Sequence, residues 1–472
     1  MITALLLGVS AAVTAVSITA LPYYDFPTGG PALALFTLAL WLLFGLAFFV
    51  LRRVPLRAAV ILIVAGSVAI GGAAMAGPPN TSTDSARYAW DGIVQNAGIS
   101  PYKYVPTSPH LEKLRTDWLF PAPVVGADGI ARCEGSRIQT SHEPGTNTIV
   151  CTAINRPTVH TIYPPSSELL FAGIRLLTGP APQYWPMQLA GLLMSLGITI
   201  MLLLGLRARG LDPRWAALWG WCPLVATEAI TNSHVDTLGA LLLLGATLLV
   251  SSPRVVGGRP WWGGIALGAA IAAKLIPVIG APALLRRRPW KIILASAATF
   301  LVLYVPYILT SGVKVLGYLP GYLSEEGYDD GTRFALLTVF VHGTAALVLA
   351  GILLLIVAIL VWRRSDPANP WLGQVVMIGA TLLIVSPRYP WYALLLVPMI
   401  AMSRRWEWLA IPLALTARTL DPHLAVTRTG ELIAVVIIVV VSFHRAGPGA
   451  FGRLGGFFRH PLTANRGAIT SE

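Results

Sequence analysis

Residues 31–51, "PALALFTLALWLLFGLAFFVL", and residues 184–206 are two long apolar runs without a charged side chain. At 1.5 Å per residue, a helix of about 20 residues spans the roughly 30 Å hydrocarbon core of a bilayer. In lipid each backbone N–H and C=O must find a partner within the protein, which leaves helices or closed barrels. These runs are continuous and do not alternate, so a barrel is excluded. The expected class is an all-α polytopic membrane protein. Composition agrees, with 55% hydrophobic and 12% charged residues, against about 25% charged in soluble domains.

The net charge of +13 does not indicate a nucleic-acid partner. The cations stand in short clusters between apolar runs: Arg52, Arg53 and Arg57; Arg207, Arg209 and Arg214; Arg286 to Arg288; Arg363 and Arg364; Arg404 and Arg405. That pattern marks cytoplasmic loops, and no stretch reads as a phosphate-tracking groove. The N-terminal run has no basic n-region and reads as a retained span.

With basic clusters as inside markers, span 2–21 leads out, 31–51 returns and 58–77 leads out again. Residues 78–160 form a long outer segment with seven acidic and seven basic side chains, a neutrality that loops of this length tolerate. Stretch 163–178 is amphipathic or half-inserted, and 184–206 returns inside. Later excursions each begin and end at basic residues, so each crosses an even number of times or re-enters. For 261–285 this predicts two short helices, with Lys274 near the turn and Pro277 just beyond. For 371–403 it places Arg388 at the turn. The chain divides into three spans over 1–77, an outer loop over 78–183, C-terminal membrane helices over 184–443 and a cytoplasmic tail over 444–472. Eleven to fourteen membrane helices are expected.

Four constellations carry chemistry. Asp84, Arg87, Tyr88 and Asp91 are spaced i, i+3, i+4 and i+7, which lines one helix face. A solvated interfacial helix with Asp84 as its N-terminal cap is the plain reading. The turn "GISPYKYVP" folds the chain back and keeps the acidic face near the membrane mouth, where a carboxylate can act as general base. Glu228, Asn232, His234 and Asp236 gather at one outer apex, and ionisable groups in membrane segments default to function. A structural network stays open for them. A metal site is disfavoured, because no second histidine stands at i+4 and no acidic triplet follows. Lys274 in "GGIALGAAIAAKLIPVIGAPALL" needs a partner, and a phosphate is the natural one. Arg388 in "SPRYPWYALLLVP" repeats the design, with Tyr389, Trp391 and Tyr392 as interfacial aromatics. Cys133 and Cys151 lie in the outer segment, where an oxidising compartment permits a bridge; Cys222 reads as a small buried hydrophobe.

The stretches "DSARYAWDGIVQNAGISPYKYVP", "INRPTVHTIYPPSSELLF", "EAITNSHVDTLGALL", "AAKLIPVIGAPALL", "YLSEEGYDDGTRF" and "PRYPWYALLLVPM" resemble a family of actinobacterial integral-membrane glycosyltransferases of GT-C architecture. The resemblance covers about residues 80 to 400. Such enzymes use polyprenyl-phosphate sugars, and the family includes mannosyltransferases that extend phosphatidylinositol mannosides and lipoglycans. The resemblance implies Asp84 as catalytic base, Tyr88, Asp91 and the "SPY" turn as pocket-shaping, Tyr163 and Glu168 at its border, and Lys274 and Arg388 on the donor phosphate. Arg87, Glu228, His234 and Asp236 join the expected substrate pocket. The expected reaction is inverting transfer from a polyprenyl-phosphate sugar to a lipid-linked glycan on the outer face of the cell membrane, with no cofactor, metal or nucleic acid. Mannose is favoured, with arabinofuranose or another hexose open. The acidic loop Glu325, Glu326, Asp329 and Asp330 reads equally as an acceptor site or a solvated loop. A lipid-linked sugar transporter would want polar groups at the bilayer midplane and paired broken helices, and a non-catalytic assembly subunit would not need Asp84 beside two cations.

Overall fold

The computed structural model describes residues 8, 30–135, 137–253 and 257–446. The span expected over 2–21 and nearly all of the tail expected over 444–472 lie outside these residues. The fold is all-α and polytopic, with two small β-ribbons in the outer loop. Helices α1 (Gly30–Leu51) and α2 (Leu56–Ala73) precede α3 (Asp84–Asn96). The ribbons pair β1 (Val124–Val125) with β2 (Ala131–Arg132), and β3 (Gln139–His142) with β4 (Ile149–Thr152). Next come α4 (Pro165–Thr178) and α5 (Trp185–Arg207), then a π-helical turn over Val225–Thr231 that leads into α6 (Asp236–Val250). Helices α7 (Pro260–Ile271), α8 (Pro289–Ser311), α9 (Leu319–Glu325) and α10 (Thr344–Arg364) follow. The chain continues through α11 (Trp371–Val385), α12 (Val397–Ser403), α13 (Ala410–Leu420) and α14 (Leu424–Ala446).

Among the described residues, six helices are long and apolar enough to cross a membrane, or seven if the pair 225–231 and 236–250, bent by 111°, counts as one span. Much of the remaining apolar chain is divided among shorter helices and 3₁₀ turns, because Pro277, Pro282, Pro390 and Pro398 interrupt it. A hydropathy count sees each such piece as a segment without seeing its length. Region 261–285 is therefore one helix, α7, followed by a turn and two 3₁₀ pieces, rather than two helices. Lys274 does sit in the turn.

Lipid exposure shows in which faces are wet with apolar groups. In α4, Glu168 and Arg175 are buried while Leu176 and Leu177 are 75% and 87% exposed. That inverts the pattern of a water-soluble helix and suits a helix whose outer face meets lipid. Small residues permit close helix packing. A Cβ on Gly191 would lie 2.0 Å from the Ala229 carbonyl oxygen, so only glycine lets α5 approach the π-helical turn this closely.

Cys133 and Cys151 are joined by a disulfide, and Cys222 is free and buried. Closing a loop of 18 residues' separation is worth roughly 3 kcal/mol in the chain-entropy model. Cys133→Ser is expected to lose about that much stability and to open segment 134–150 to protease. Limited proteolysis followed by peptide mapping, with and without reductant, measures it; equal resistance of variant and wild type overturns the expectation.

Candidate active site

The site begins where α2 ends. Gln188 on α5 donates to the carbonyls of Gly77 (2.8 Å) and Thr231 (3.0 Å), and Thr231 Oγ1 donates to the Ala74 carbonyl (2.8 Å). Asn232 then holds the next residues: its Oδ1 accepts from the backbone N–H of Asn80 (3.0 Å) and Thr81 (3.1 Å), and its Nδ2 donates to Thr81 Oγ1 (2.7 Å). Asn232 is thus a clamp that sets the chain three residues before Asp84. The signal for it was present in "TNSHVD", yet an amide in an ionisable cluster reads as a ligand until its backbone partners are seen.

Asp84 opens α3, with Thr83 at the cap position and the Asp84 N–H donating to Ser82 Oγ at 3.1 Å. Asp84 is therefore not the cap expected from sequence. Its Oδ1 accepts from the Asn155 amide, and its Oδ2 lies 3.6 Å from His234 Nδ1. The helix face it starts is buried, not solvated. Arg87 Nε donates to both Asp91 oxygens at 2.9 and 3.0 Å, and the pair is 4% and 2% exposed. Tyr88 stacks on Phe171 at 4.4 Å and meets Tyr163 edge-on at 4.9 Å. Tyr102 of the "SPY" turn donates to the Tyr163 carbonyl at 2.5 Å, and Thr161 Oγ1 donates to Glu168 at 2.8 Å. Burial pushes the carboxyl pKa of Glu168 well above its ordinary value, with Asp91 adding to the rise. Burial also raises Asp91, while Arg87 pulls it back down.

The motif "IYPPSSE" has a local cause. The C-terminal carbonyls of α7 lack intrahelical partners, and α4 supplies them: the Ser166 N–H donates to the Ala272 carbonyl (2.8 Å) and Ser167 Oγ to that of Ala273 (2.6 Å). This docking fixes the turn that carries Lys274. Its Nζ lies 2.6 Å from Asp236 Oδ2 and 4.6 Å from the Tyr392 ring centroid. Tyr392 in turn shares a 2.7 Å hydrogen bond with Tyr322.

A cavity of about 500 Å³ brings these parts together. Its wall includes Asp84, Arg87, Asn155, Arg156, His160, Tyr163, Lys274, Tyr322, Tyr389, Trp391 and Tyr392. Asp84 is the one carboxylate among the described residues of that wall. Tyr88, Asp91, Glu168, Glu228, His234 and Asp236 are buried behind it and do not line it. Four of them support a lining residue directly: Asp91 holds Arg87, Asp236 holds Lys274, Tyr88 meets Tyr163, and His234 faces Asp84 and stacks on Trp391. The polar wall carries His160, whose imidazole burial, Lys314 and Arg87 hold below its ordinary pKa, hence neutral at pH 7.

Arg388 does not join this wall. Its guanidinium is half-exposed, 4.0 Å from Glu326, which is buried and paired with Arg333. Beside Lys274, the wall carries Arg87, held by Asp91, and Arg156, ion-paired with Glu325. Arg156 has φ 46°, a left-handed conformation uncommon for a non-glycine residue, of the kind that clusters at functional sites. "INRPTVH" displayed it, but Arg156 stands in a polar loop, where a cation raises no question. The acidic loop is committed within the protein: beyond Glu325 and Glu326, Asp329 accepts from Ser324 Oγ (2.6 Å) and Asp330 from the Thr332 N–H (2.9 Å). Among the described residues, no group of three His, Cys, Asp or Glu side chains is placed to hold a metal ion.

Residues 161–387 match the family model described as Glycosyltransferase family 87. That stretch contains Lys274, Asp236, His234 and Glu228, and it leaves out Asp84, Asn155 and Arg156. A protein of Mycolicibacterium smegmatis, named polyprenol-phosphate-mannose-dependent alpha-(1-2)-phosphatidylinositol pentamannoside mannosyltransferase, is 26% identical over 266 residues. The alignment covers 53% of this chain and 59% of that protein. No solved structure matches the chain. Joined to a multi-pass helical fold, these matches carry the same resemblance as the motifs: the chain is similar over residues 161–387 to glycosyltransferase family 87, and it spans 59% of the length of the mycobacterial mannosyltransferase it matches.

Proposed function

We propose that this protein moves a sugar, mannose in the first instance, from polyprenyl phosphate to a phosphatidylinositol-mannoside or related lipid-linked acceptor on the outer face of the membrane. The observation that carries this reading is the shared cavity, in which a single carboxylate, Asp84, faces one space with three cations, Lys274, Arg156 and the Asp91-held Arg87. The relative's name supports mannose and the acceptor class.

Asp84 takes the proton of an acceptor hydroxyl as that oxygen attacks the anomeric carbon. The bond from that carbon to the phosphate oxygen breaks on the opposite face, so the configuration inverts. Lys274, with Arg156, receives the negative charge gathering on the departing phosphate. Tyr163 and Tyr389 offer aromatic surface for the sugar ring, and the polyprenyl tail lies among apolar residues such as Leu275 and Leu323. No step is assigned to a metal ion or cofactor.

The test is transfer by the purified protein. Incubation with radiolabelled polyprenyl-phosphate mannose and phosphatidylinositol mannosides of graded length is expected to give one elongated product, cleaved by an α-mannosidase. Proteoliposomes with acceptor confined to one face report the side. Label that crosses the bilayer without a new glycosidic bond would make the protein a transporter; transfer from an arabinosyl donor alone would move the sugar.

A further inference from the structure

Behind Asp84 stands a pair of groups to which the transfer chemistry above assigns nothing. His234 is fully buried with its ring on Trp391, centroids 3.7 Å apart. Its Nδ1 lies 3.6 Å from Asp84 Oδ2, and its Nε2 lies 3.3 Å from Glu228 Oε2. Among the described residues neither nitrogen, nor Glu228 Oε2, makes a hydrogen bond as placed, so these two carboxyl groups are the ring's ionisable neighbours rather than its bonded partners. The backbone aims the ring: Ser233 has φ 57°, the His234 N–H donates to the Glu228 carbonyl (2.9 Å), and Thr237 Oγ1 donates to the His234 carbonyl (2.9 Å). A strained non-glycine residue and two hydrogen bonds thus place an imidazole between two carboxyl groups.

We propose that His234 and Glu228 are positioning residues for Asp84, with Glu228 in its acid form donating to Nε2 and so fixing the tautomer whose Nδ1–H points at Asp84. This rests on the reading of Asp84 as the base. The argument is one of proton counting. An ionised Glu228 beside a neutral imidazole would accept the Nε2 proton and turn the bare Nδ1 lone pair onto the Asp84 carboxylate, a repulsive contact. One further proton removes the conflict. It belongs on the deeper group, since charge is costly away from water: the Glu228 side chain is 5% exposed and that of Asp84 16%. A neutral imidazole is favoured over an imidazolium by the same burial, since the His234 side chain is fully buried. The single negative charge of the three then rests on Asp84, at the cavity wall, with an N–H donor behind it. Such a donor favours the ionised carboxylate and holds it to one orientation, as the orienting group does for a catalytic base in other hydrolases and transferases.

The remaining groups around Asp84 are Arg156 across the cavity, the Asp236–Lys274 pair, and the phenols of Tyr88, Tyr163 and Tyr389. The acid limb of the kcat profile is the readout, since it follows a group that must be ionised for catalysis.

The test compares variants of the full-length protein with wild type in kcat, KM and pH profile, using radiolabelled polyprenyl-phosphate mannose and a phosphatidylinositol mannoside. His234→Phe keeps a ring on Trp391 and loses the N–H. It is expected to cut kcat about 10- to 100-fold at unchanged KM and to move the acid limb up by about one pH unit. His234→Asn, whose amide N–H replaces Nδ1–H, is expected to return the acid limb to its wild-type position. Glu228→Gln, which keeps an N–H donor toward Nε2, is expected to exceed Glu228→Leu about tenfold in kcat. An unmoved acid limb in His234→Phe, or equal damage from Gln and Leu at position 228, overturns the proposal; the 228 pair decides it alone if His234→Phe does not fold. Asp84→Asn separates the two claims. If it turns over, the base assignment fails; if it is inactive while His234→Phe keeps the wild-type limb, only the positioning role fails.

Discussion

Asp84→Asn lowers turnover by about 10²–10⁴-fold, the range that general-base assistance contributes, and leaves the protein folded. The substitution is close to isosteric, and the asparagine oxygen can still accept from the Asn155 amide. The N–H donation to Ser82 Oγ comes from the backbone and is untouched. What is lost is basicity. Because Asp84 is the one carboxylate on the described cavity wall, no neighbour stands ready to replace it: Asp91 is tied to Arg87, Asp236 to Lys274 and Glu325 to Arg156. The measurement is single-turnover transfer at saturating donor, with melting temperature and donor KM as controls for fold and binding. Loss of kcat at constant KM is the expected split, since a proton acceptor works only as the transition state forms. Turnover within a few-fold of wild type would place the base elsewhere and remove the function proposed for this cavity.

How much of this was legible in the sequence depends on the range of the interaction. Spans set by local composition were read almost to the residue: 31–51 against Gly30–Leu51, and 184–206 against Trp185–Arg207. Turns at Lys274 and Arg388 were legible because basic clusters on both flanks force a return. Helix lengths inside 261–285 and 371–403 were not, since prolines divide apolar chain without changing its hydropathy. The site divides in the same way. Residues expensive enough to demand a partner in lipid, such as Lys274 and His234, stood out in the sequence. Their partners did not, because pairing across many residues, Lys274 with Asp236 or Asp84 with Asn155, leaves no local pattern. Hence Tyr88, Asp91, Glu168, Glu228, His234 and Asp236, expected on the pocket surface, lie one layer behind it, and Arg156, in an unremarkable polar loop, stands on the wall where Arg388 was expected.

Lys274 supplies the second large effect, and a single substitution there would mislead. Its ammonium is the close partner of the buried Asp236 carboxylate, 2.6 Å away and 3% exposed. Lys274→Met therefore leaves an uncompensated buried charge, a loss of about 3–5 kcal/mol in stability, whatever Lys274 does for substrate. Adding Asp236→Asn removes that charge, so the double variant is expected to regain most of the melting temperature. Donor binding behaves differently. A charge-assisted hydrogen bond to phosphate is worth about 1.5–3 kcal/mol, or roughly 10- to 100-fold in affinity, and methionine cannot restore it. Lys274→Met/Asp236→Asn should thus be stable and still show a donor KM raised by that factor, with acceptor KM unchanged. The proposed function gives this lysine two roles that the double variant pulls apart: without Asp236 the cation would be too costly to bury, and without the donor phosphate the pair would be a structural bridge and nothing more. If the double variant recovers donor affinity along with stability, the bridge is all there is, and Arg156 must bear the phosphate without help from Lys274.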